Sequence, residues 1–322
     1  MNSFGHQLRI QIFGESHGPG LGLILDGIPP GIALSEEDFL GDLKRRQAGA
    51  KGTTPRVEKD LPEIRSGLFN GLTTGAPLCI GFKNENIRSR DYSFVKSTPR
   101  PGHSDWVADK KFNGFNDFRG GGHFSGRLTL CLVAAGVISK KIVSSISIHA
   151  QLIEAGGSDV IDIAIDKALK DGDSIGGIIE CRASDMPVGL GEPFFDSIES
   201  KIAHLIFAIP ATKGVEFGSG FEAAKMKGSE HNDPIIDESG KTASNNAGGI
   251  NGGISNGNDL VFRVAIKPTS SIAKKQKTFD QVKGEMSTLE VRGRHDACIA
   301  LRAPVVVESV CAIALADFFL SI

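Results

Sequence analysis

Leu8-Arg-Ile-Gln-Ile-Phe-Gly-Glu-Ser-His-Gly-Pro-Gly-Leu-Gly-Leu-Ile-Leu-Asp26 is the stretch from which the fold class is read. Leu8 to Phe13 alternates apolar and polar residues, the period of a half-buried strand. Gly14 to Gly22 reads as a glycine-rich turn, and Leu23 to Asp26 as a second strand, closed by Gly27-Ile-Pro-Pro-Gly31. Gly14-Glu-Ser-His-Gly18 matches the G-x-S-x-G pattern of a hydrolase nucleophile elbow, which requires a helix directly after the serine. Pro19-Gly20-Leu-Gly22 and a strand follow instead, so the match fails. A second match, Gly253-Ile-Ser-Asn-Gly257, also runs into a strand. There is no G-x-x-x-x-G-K-[ST], no G-x-G-x-x-G opening a helix and no H-E-x-x-H, so nucleotidase, dinucleotide and zinc-protease sites lack their motifs.

Working outward, Ser35-Glu-Glu-Asp38 starts a helix that Ser35 can cap, ending in Lys44-Arg45-Arg46, a charge order that suits the helix dipole. Leu128 to Ile146 is the most hydrophobic segment and reads as a buried helix whose exposed end is Lys140-Lys141. Phe195 to Phe207 carries apolar residues at helical spacing. Pro304 to Phe319 is a helix whose only charges are Glu308 and Asp317. Apolar strands are expected at Ile175–Glu180, at Asp259–Ile266 and at the end of Ala76–Phe82. Strands and helices in mixed order, without a repeat or a composition break, predict one α+β domain over 1–322.

Composition narrows the function classes. Thirty-six Lys+Arg against 38 Asp+Glu give a net charge of −2, so no global field marks a nucleic-acid or membrane binder. The longest apolar stretch, Leu130 to Ile138, is shorter than the ~20 residues of a membrane span. The N-terminus has no basic region followed by an apolar one, and a cytoplasmic location is expected. The five cysteines are odd in number and form no C-x-x-C pair, which predicts free thiols in a reducing compartment and no metal site.

Forty of 322 residues are glycine, without a Gly-X-Y period. Glycine clusters sit beside His, Arg or Asn at Gly14–Gly18, Arg100–Asp105, Asp117–His123, Asn245–Gly249 and Asn251–Asn256. Successive N–H groups in such turns form anion-binding concavities. Arg46, Lys51, Arg100, Arg119, Arg127, Arg292, Arg294 and Arg302 lie in or near them, and arginine bonds carboxylate and phosphate through a planar fork. Any one of these residues also reads as a solvated surface charge; together they suggest a polyanionic ligand. His17 and His103 each adjoin a glycine in a turn. Beside anions a histidine's cationic form is favoured, which equips it as a proton donor. Taken singly, each reads more readily as a structural residue than as a catalytic one.

Phe13-Gly-Glu-Ser-His-Gly18, Arg100-Pro-Gly-His103, Phe118-Arg-Gly-Gly-Gly122, Lys213-Gly-Val-Glu-Phe-Gly218, Asn246-Ala-Gly-Gly-Ile250 with Gly252-Gly-Ile-Ser255, Lys267-Pro-Thr-Ser-Ser271 and Gly293-Arg-His-Asp296 together resemble the chorismate synthase family. They occur in the family's order and cover nearly the whole chain. The resemblance implies a lyase that converts 5-enolpyruvylshikimate 3-phosphate to chorismate by 1,4-anti elimination of phosphate, the last shikimate-pathway step toward aromatic amino acids. It implies reduced FMN as cofactor without net redox change, a β-α-β sandwich with helices between two antiparallel sheets, and a homotetramer.

By the family pattern, His17 donates a proton to the departing phosphate and His103 protonates or stabilises the anionic reduced flavin. Ser16 and Asp296 support removal of the ring proton through the flavin N5. Arg46, Lys51, Arg127 and Arg302 hold substrate anions. Flavin contacts come from His123, Phe124, Ser125, Ala211, Gly252, Lys267, Pro268, Thr269, Ser270, Ser271 and Arg294. Three departures stand out. His123-Phe124-Ser125 replaces an Arg-Ser-Ser or Arg-Ala-Ser, so a titratable group stands where many members have a fixed charge, and FMN affinity is expected to depend on pH. Lys51 lies near a place where many members carry arginine, and Asn246 stands where histidine is common. With no nicotinamide motif, an external reductant is expected to supply the flavin rather than an intrinsic NADPH-dependent activity. The competing readings are a flavin-dependent oxidoreductase at the same FMN site and a non-enzymatic anion-binding module, which would not need histidines placed for proton transfer.

Overall fold

The computed structural model describes residues 2–54, 58–86, 89–291 and 295–321. The opening stretch folds as strands: after β1 (Ser3–Phe4), β2 (Arg9–Gly14) pairs antiparallel with β3 (Gly20–Asp26), setting Arg9 opposite Asp26 and Gly14 opposite Leu21. The turn is shorter than its glycines suggest. β3 starts at Gly20 because it is hydrogen-bonded on both sides, to β2 and to β5 (Leu78–Lys83), and two ladders outweigh the low strand propensity of glycine. With β4 (Glu63–Ser66) they form an antiparallel sheet in the order β1-β2-β3-β5-β4.

A second antiparallel sheet, in the order β8-β9-β7-β6, is built from β6 (Ser147–Ala155), β7 (Gly177–Ser184), β8 (Thr212–Phe217) and β9 (Leu260–Ile266). β7 begins two residues later than expected and runs on to Ser184, because it is the inner strand whose residues pair with both β6 and β9.

The main helices are α1 (Glu37–Arg46), α2 (Asp105–Lys111), α3 (Thr129–Ile142), α4 (Ile161–Asp171), α5 (Ile198–Ile206) and α6 (Pro304–Phe319). α3 buries every residue from Thr129 to Ser139, and α6 every residue from Val305 to Phe318. A helix that is apolar all round must be enclosed. α3 packs on β3, α6 packs on β6 and β7, and the two helices pack on each other, so helices lie between the two sheets. A Cβ on Gly136 of α3 would fall 2.3 Å from the Cβ of Ser309 in α6, and this close approach excludes any larger residue there. Each fully buried Leu, Ile or Val in this layer contributes ~1.5–3 kcal/mol. The run Arg119–Ile142 is in fact long and apolar enough to span a bilayer, but most of it is buried in this layer.

Three local expectations change. Ser35 does not cap α1; its backbone N–H donates to Asp38 Oδ2 at 2.7 Å, and the cap position is Glu36. α5 begins at Ile198 because Ser197 caps it, its side chain accepting the Ser200 N–H at 3.1 Å. Lys140 and Lys141 are not a free, exposed helix end: Lys140 pairs with Asp42 and Glu308, and Lys141 with Asp38.

The two charges of α6 are buried anchors. Glu308 receives both guanidinium arms of Arg45 at 2.6 and 2.7 Å and the Ala150 N–H at 2.9 Å. Asp317 Oδ1 accepts the N–H groups of His6, Gln7 and Leu8 at 3.0, 2.7 and 2.8 Å, while Oδ2 accepts Lys201 Nζ at 2.9 Å. Burial would raise both carboxyls, but these donors and cations outweigh it and hold both below the ordinary range. The five cysteines are free, as expected, four of them buried.

Candidate active site

The turn Gly14–Gly18 leaves β2 at the edge of a cleft. Asn84 stitches it from below, donating from Nδ2 to the carbonyls of Glu15 and Gly18 at 2.9 and 2.8 Å. The Ser16 N–H donates to the Gly122 carbonyl at 3.1 Å, so the turn is also bonded to the triple glycine. Ser16 and His17 are both buried, with Ser16 Oγ 3.2 Å from His17 Nδ1 and the His17 ring edge-on to Tyr92 at 5.2 Å. Gly120, Gly121 and Gly122 all have positive φ. Gly120 lies against the His17 ring and Gly121 against His103, so one backbone loop separates the two histidines.

His103 is partly exposed and stands in the Arg100–Asp105 loop. Its Nδ1 is 2.6 Å from Asp105 Oδ1, and Asp105 is in turn clasped by Arg100 Nε and Nη2 at 2.7 and 2.8 Å. Burial would raise the Asp105 carboxyl, yet Arg100 and His103 hold it far below the ordinary range. Arg100 Nη1 donates to Ser271 Oγ at 3.0 Å, and Lys267 Nζ and Ser270 Oγ donate to the Gly102 carbonyl at 2.6 and 2.8 Å. The Lys267–Ser271 segment is thereby locked to the histidine loop.

The cleft between these parts is lined by Ser16, Arg46, Asp60, Tyr92, Gly120, Ser125, Arg127, Asp296 and Arg302, among others. The reading of its arginines as surface charges is overturned for Arg46, Arg100 and Arg127, which are 3%, 6% and 9% exposed. Arg46 donates to Thr129 Oγ1 at 2.9 Å and to Asp60 at 3.4 Å; Arg127 reaches Asp60 at 2.8 Å and Asn84 Oδ1 at 2.6 Å. Arg302 bonds the Arg46 carbonyl at 3.0 Å and Asp296 at 3.3 Å. Burial and the neighbouring Arg302 push the Arg46 guanidinium down to about 10, with Asp60 opposing. The three arginines of the cleft are thus matched by three carboxylates, Glu58, Asp60 and Asp296, of which Asp60 and Asp296 hold the guanidinium groups in place.

Asp296 lines the cleft, bonding Arg302 and accepting the Thr54 N–H at 2.9 Å. Ser125 lines it and accepts the Arg127 N–H at 3.3 Å. Phe124 is turned toward Phe112, with ring centroids 6.1 Å apart. His123 contacts the Gly14 carbonyl at 2.8 Å and Asn2 Oδ1 at 3.1 Å, so both ring nitrogens already face protein acceptors. Ala211 has φ +73° and accepts the Lys267 N–H at 2.9 Å. Thr269 accepts the Ser174 hydroxyl through its carbonyl, and Pro268 packs beside Gly176.

Lys51 and Gly252 are among the predicted residues that do not line the cleft. Lys51 pairs with Asp166 of α4 at 2.5 Å. Gly252 sits in the hairpin Ile250–Ser255, whose Gly253 carbonyl bonds the start of α5. Arg292 and Arg294 lie outside the described residues. Sequence reasoning missed Asp60, Asn84, Tyr92 and Asp105. Asp105 stands two positions after His103 in the Arg100–Asp105 motif, whereas Asp60 and Asn84 belong to no pattern.

The residues fit a bound flavin phosphate. Lys267 is disfavoured as a cation by burial and by nearby Lys213, and it donates to two neutral oxygens, the Gly102 carbonyl and Ser270 Oγ. Thr269 Oγ1 is buried without a hydrogen-bond partner among the described residues. An anion accepting from both would relieve the two costs.

A family model described as chorismate synthase matches residues 8–320. A chorismate synthase of Chitinophaga pinensis is 61% identical over 99% of this chain and 97% of the relative. One from Dehalococcoides mccartyi is 46% identical over 99% of this chain and 96% of the relative. A crystal structure of a chorismate synthase superimposes with a TM-score of 0.75 at 30% identity, covering 98% of this chain and 92% of the other.

Proposed function

The chain belongs to the chorismate synthase family, and on that premise we propose that it is a lyase converting 5-enolpyruvylshikimate 3-phosphate to chorismate and phosphate with reduced FMN. The observation that carries this reading is the placement of His17 and His103 on either side of Gly120–Gly121, beside buried Arg46 and Arg127. In the elimination the C–O bond to phosphate breaks, a ring C–H proton leaves and a C=C bond forms, with no net change in oxidation state. Arg46, Arg127 and Arg302 hold the substrate's anionic groups, their charges pre-positioned by Asp60, Asp296 and Thr129 so that little reorganisation is needed. His17, its ring fixed by Ser16 and Tyr92, gives a proton to the departing phosphate as charge builds on the leaving oxygen. Asp296 supports removal of the ring proton. Lys267, Thr269 and Ser270 hold the flavin phosphate, and His103 holds a proton at the flavin's edge. The chemistry that reduced FMN would supply, held by these residues, is a transient electron donation to the allylic system.

The test is anaerobic: protein, 5-enolpyruvylshikimate 3-phosphate and chemically reduced FMN, with chorismate and phosphate followed together. Stoichiometric products with reduced FMN and none with oxidised FMN are expected. Tight FMN binding without product would overturn the reading. A cytoplasmic homotetramer fed by an external reductant goes with it; an oxidised-FMN sample given NADPH should stay inactive, and sedimentation should give four chains.

A further inference from the structure

We propose that Asn84 is a positioning residue joining the two halves of the cleft: its one amide holds the Ser16–His17 backbone and the Arg127 guanidinium at a fixed separation. The inference rests on the reading of His17 as proton donor and of Arg127 as a holder of substrate anions.

The sheet delivers Asn84 to this place. β5 pairs with β3 so that Lys83 lies opposite Gly20, and the residue after Lys83 therefore arrives beside the connection from β2 to β3. There the Asn84 N–H donates to the Pro19 carbonyl at 3.3 Å. The donor capacity of the side chain is fully used. Nδ2 donates to the Glu15 carbonyl at 2.9 Å and to the Gly18 carbonyl at 2.8 Å. These two carbonyls bracket Ser16 and His17, so the backbone that carries both side chains is pinned at each end. On the other side of the amide, Oδ1 accepts Arg127 Nε at 2.6 Å, a short charge-assisted bond. The partners settle which way the amide points. Carbonyls only accept and a guanidinium only donates, so a flipped amide would lose all three bonds.

For Arg127 the amide is one of three restraints. Nη1 donates to Asp60 at 2.8 Å and Nη2 to the Lys83 carbonyl at 3.3 Å. With Nε on Asn84, one hydrogen on each Nη is left for a ligand. Without the Nε bond the guanidinium could pivot about its two remaining contacts, and the hydrogens aimed at the ligand would turn with it. The same amide therefore sets where the anion is gripped and where the proton is given. The residues it joins lie 69, 66 and 43 positions away in the chain.

Two substitutions separate the arms. In Asn84→Asp an oxygen replaces the NH2 group, so both turn bonds are lost while Arg127 keeps an acceptor. In Asn84→Ala both arms are lost. The chain has a single tyrosine, Tyr92, edge-on to His17, so 3-fluorotyrosine labelling of the full-length protein gives one 19F signal that reports on the turn. That signal is expected to move in both variants. In the reduced-FMN assay, with sites counted by FMN titration, both should lose kcat by about 10²-fold, the cost of a displacement of about 1 Å. KM for 5-enolpyruvylshikimate 3-phosphate should stay within about threefold in Asn84→Asp and rise about tenfold in Asn84→Ala, the worth of a hydrogen bond to a charged group. A purely structural role would lower the number of sites without splitting kcat from KM. A 19F signal unmoved in both variants would overturn the hold on the turn, and an unchanged kcat would overturn the positioning role. Equal KM in the two variants would overturn the Arg127 arm. A wild type that makes no chorismate would instead remove the assigned reaction, and the 19F signal would still decide whether Asn84 holds the turn.

Discussion

A Cβ added to Gly120 would lie 2.1 Å from both Cε1 and Nδ1 of His17, so the first residue of the triple glycine and the imidazole occupy adjoining space with no room for a methyl group. Gly120→Ala must therefore push His17 away from Ser16. Its φ of +59° adds strain of ~1 kcal/mol for an L side chain. The expected result is a kcat loss of about 10²-fold or more with a small drop in thermal stability. Gly41→Ala in α1, where nothing lies within 4 Å of the added Cβ, should change neither. Wild-type turnover in Gly120→Ala would show that His17 can act from a displaced position.

Asp60 sits between two buried arginines at 2.8 and 3.4 Å. Removing it in Asp60→Ala leaves Arg46 and Arg127 facing each other uncompensated, which typically costs about 3–5 kcal/mol. Urea denaturation should show the loss. Added inorganic phosphate should restore more stability to the variant than to wild type, because the cleft has gained net positive charge. Equal midpoints for the two proteins would mean that water already screens the pair.

Glu308 and Asp317 carry carboxyls held below the ordinary range, so their stabilising contribution is fully present above the unfolded-state values of about 4 and is lost as pH falls through the lower folded-state values. Wild type should lose stability steeply below pH 4. Asp317→Asn should be less stable at pH 7 and should show a shallower acid slope. Parallel stability–pH curves would place the protons elsewhere.

Lys267 donates to two neutral oxygens, the Gly102 carbonyl and Ser270 Oγ. In Lys267→Gln, reduced FMN should bind about tenfold more weakly, equivalent to ~1.4 kcal/mol, while reduced riboflavin, which lacks the phosphate, should bind as in wild type. Fluorescence or calorimetric titration of both flavins separates the cases. Equal weakening of the two would move Lys267 from the phosphate to the ring.

What could be read in the sequence follows from how local each cause is. α6 spans the expected Pro304–Phe319 because its signals are local: a proline at its first turn and apolar residues on every side. The Gly14–Gly18 turn and both histidines were legible for the same reason. Arg46 and Arg127 were visible only as charges. Their burial depends on Asp60, which lies 14 positions from one and 67 from the other. Asn84 was illegible altogether, since its value lies in bonding Glu15, Gly18 and Arg127 at once, a consequence of β5 pairing with β3. His123 shows the opposite limit. Its replacement of an arginine was visible, but not that Gly14 and Asn2 would take up its ring.

The carboxylate of Asp317 binds backbone groups that precede it by 309 to 311 positions. At the 5–20 residues per second of ribosomal synthesis, the segment His6–Leu8 exists for roughly 15–60 s before its partner is made. The connection between β1 and β2 is therefore completed by α6, made some 310 residues later. A product that stops short of α6 keeps three unpaired N–H groups next to β2 and an apolar layer with one of its two central helices missing. Such a chain exposes what chaperones and proteases recognise, so the fold closes only once α6 has been made.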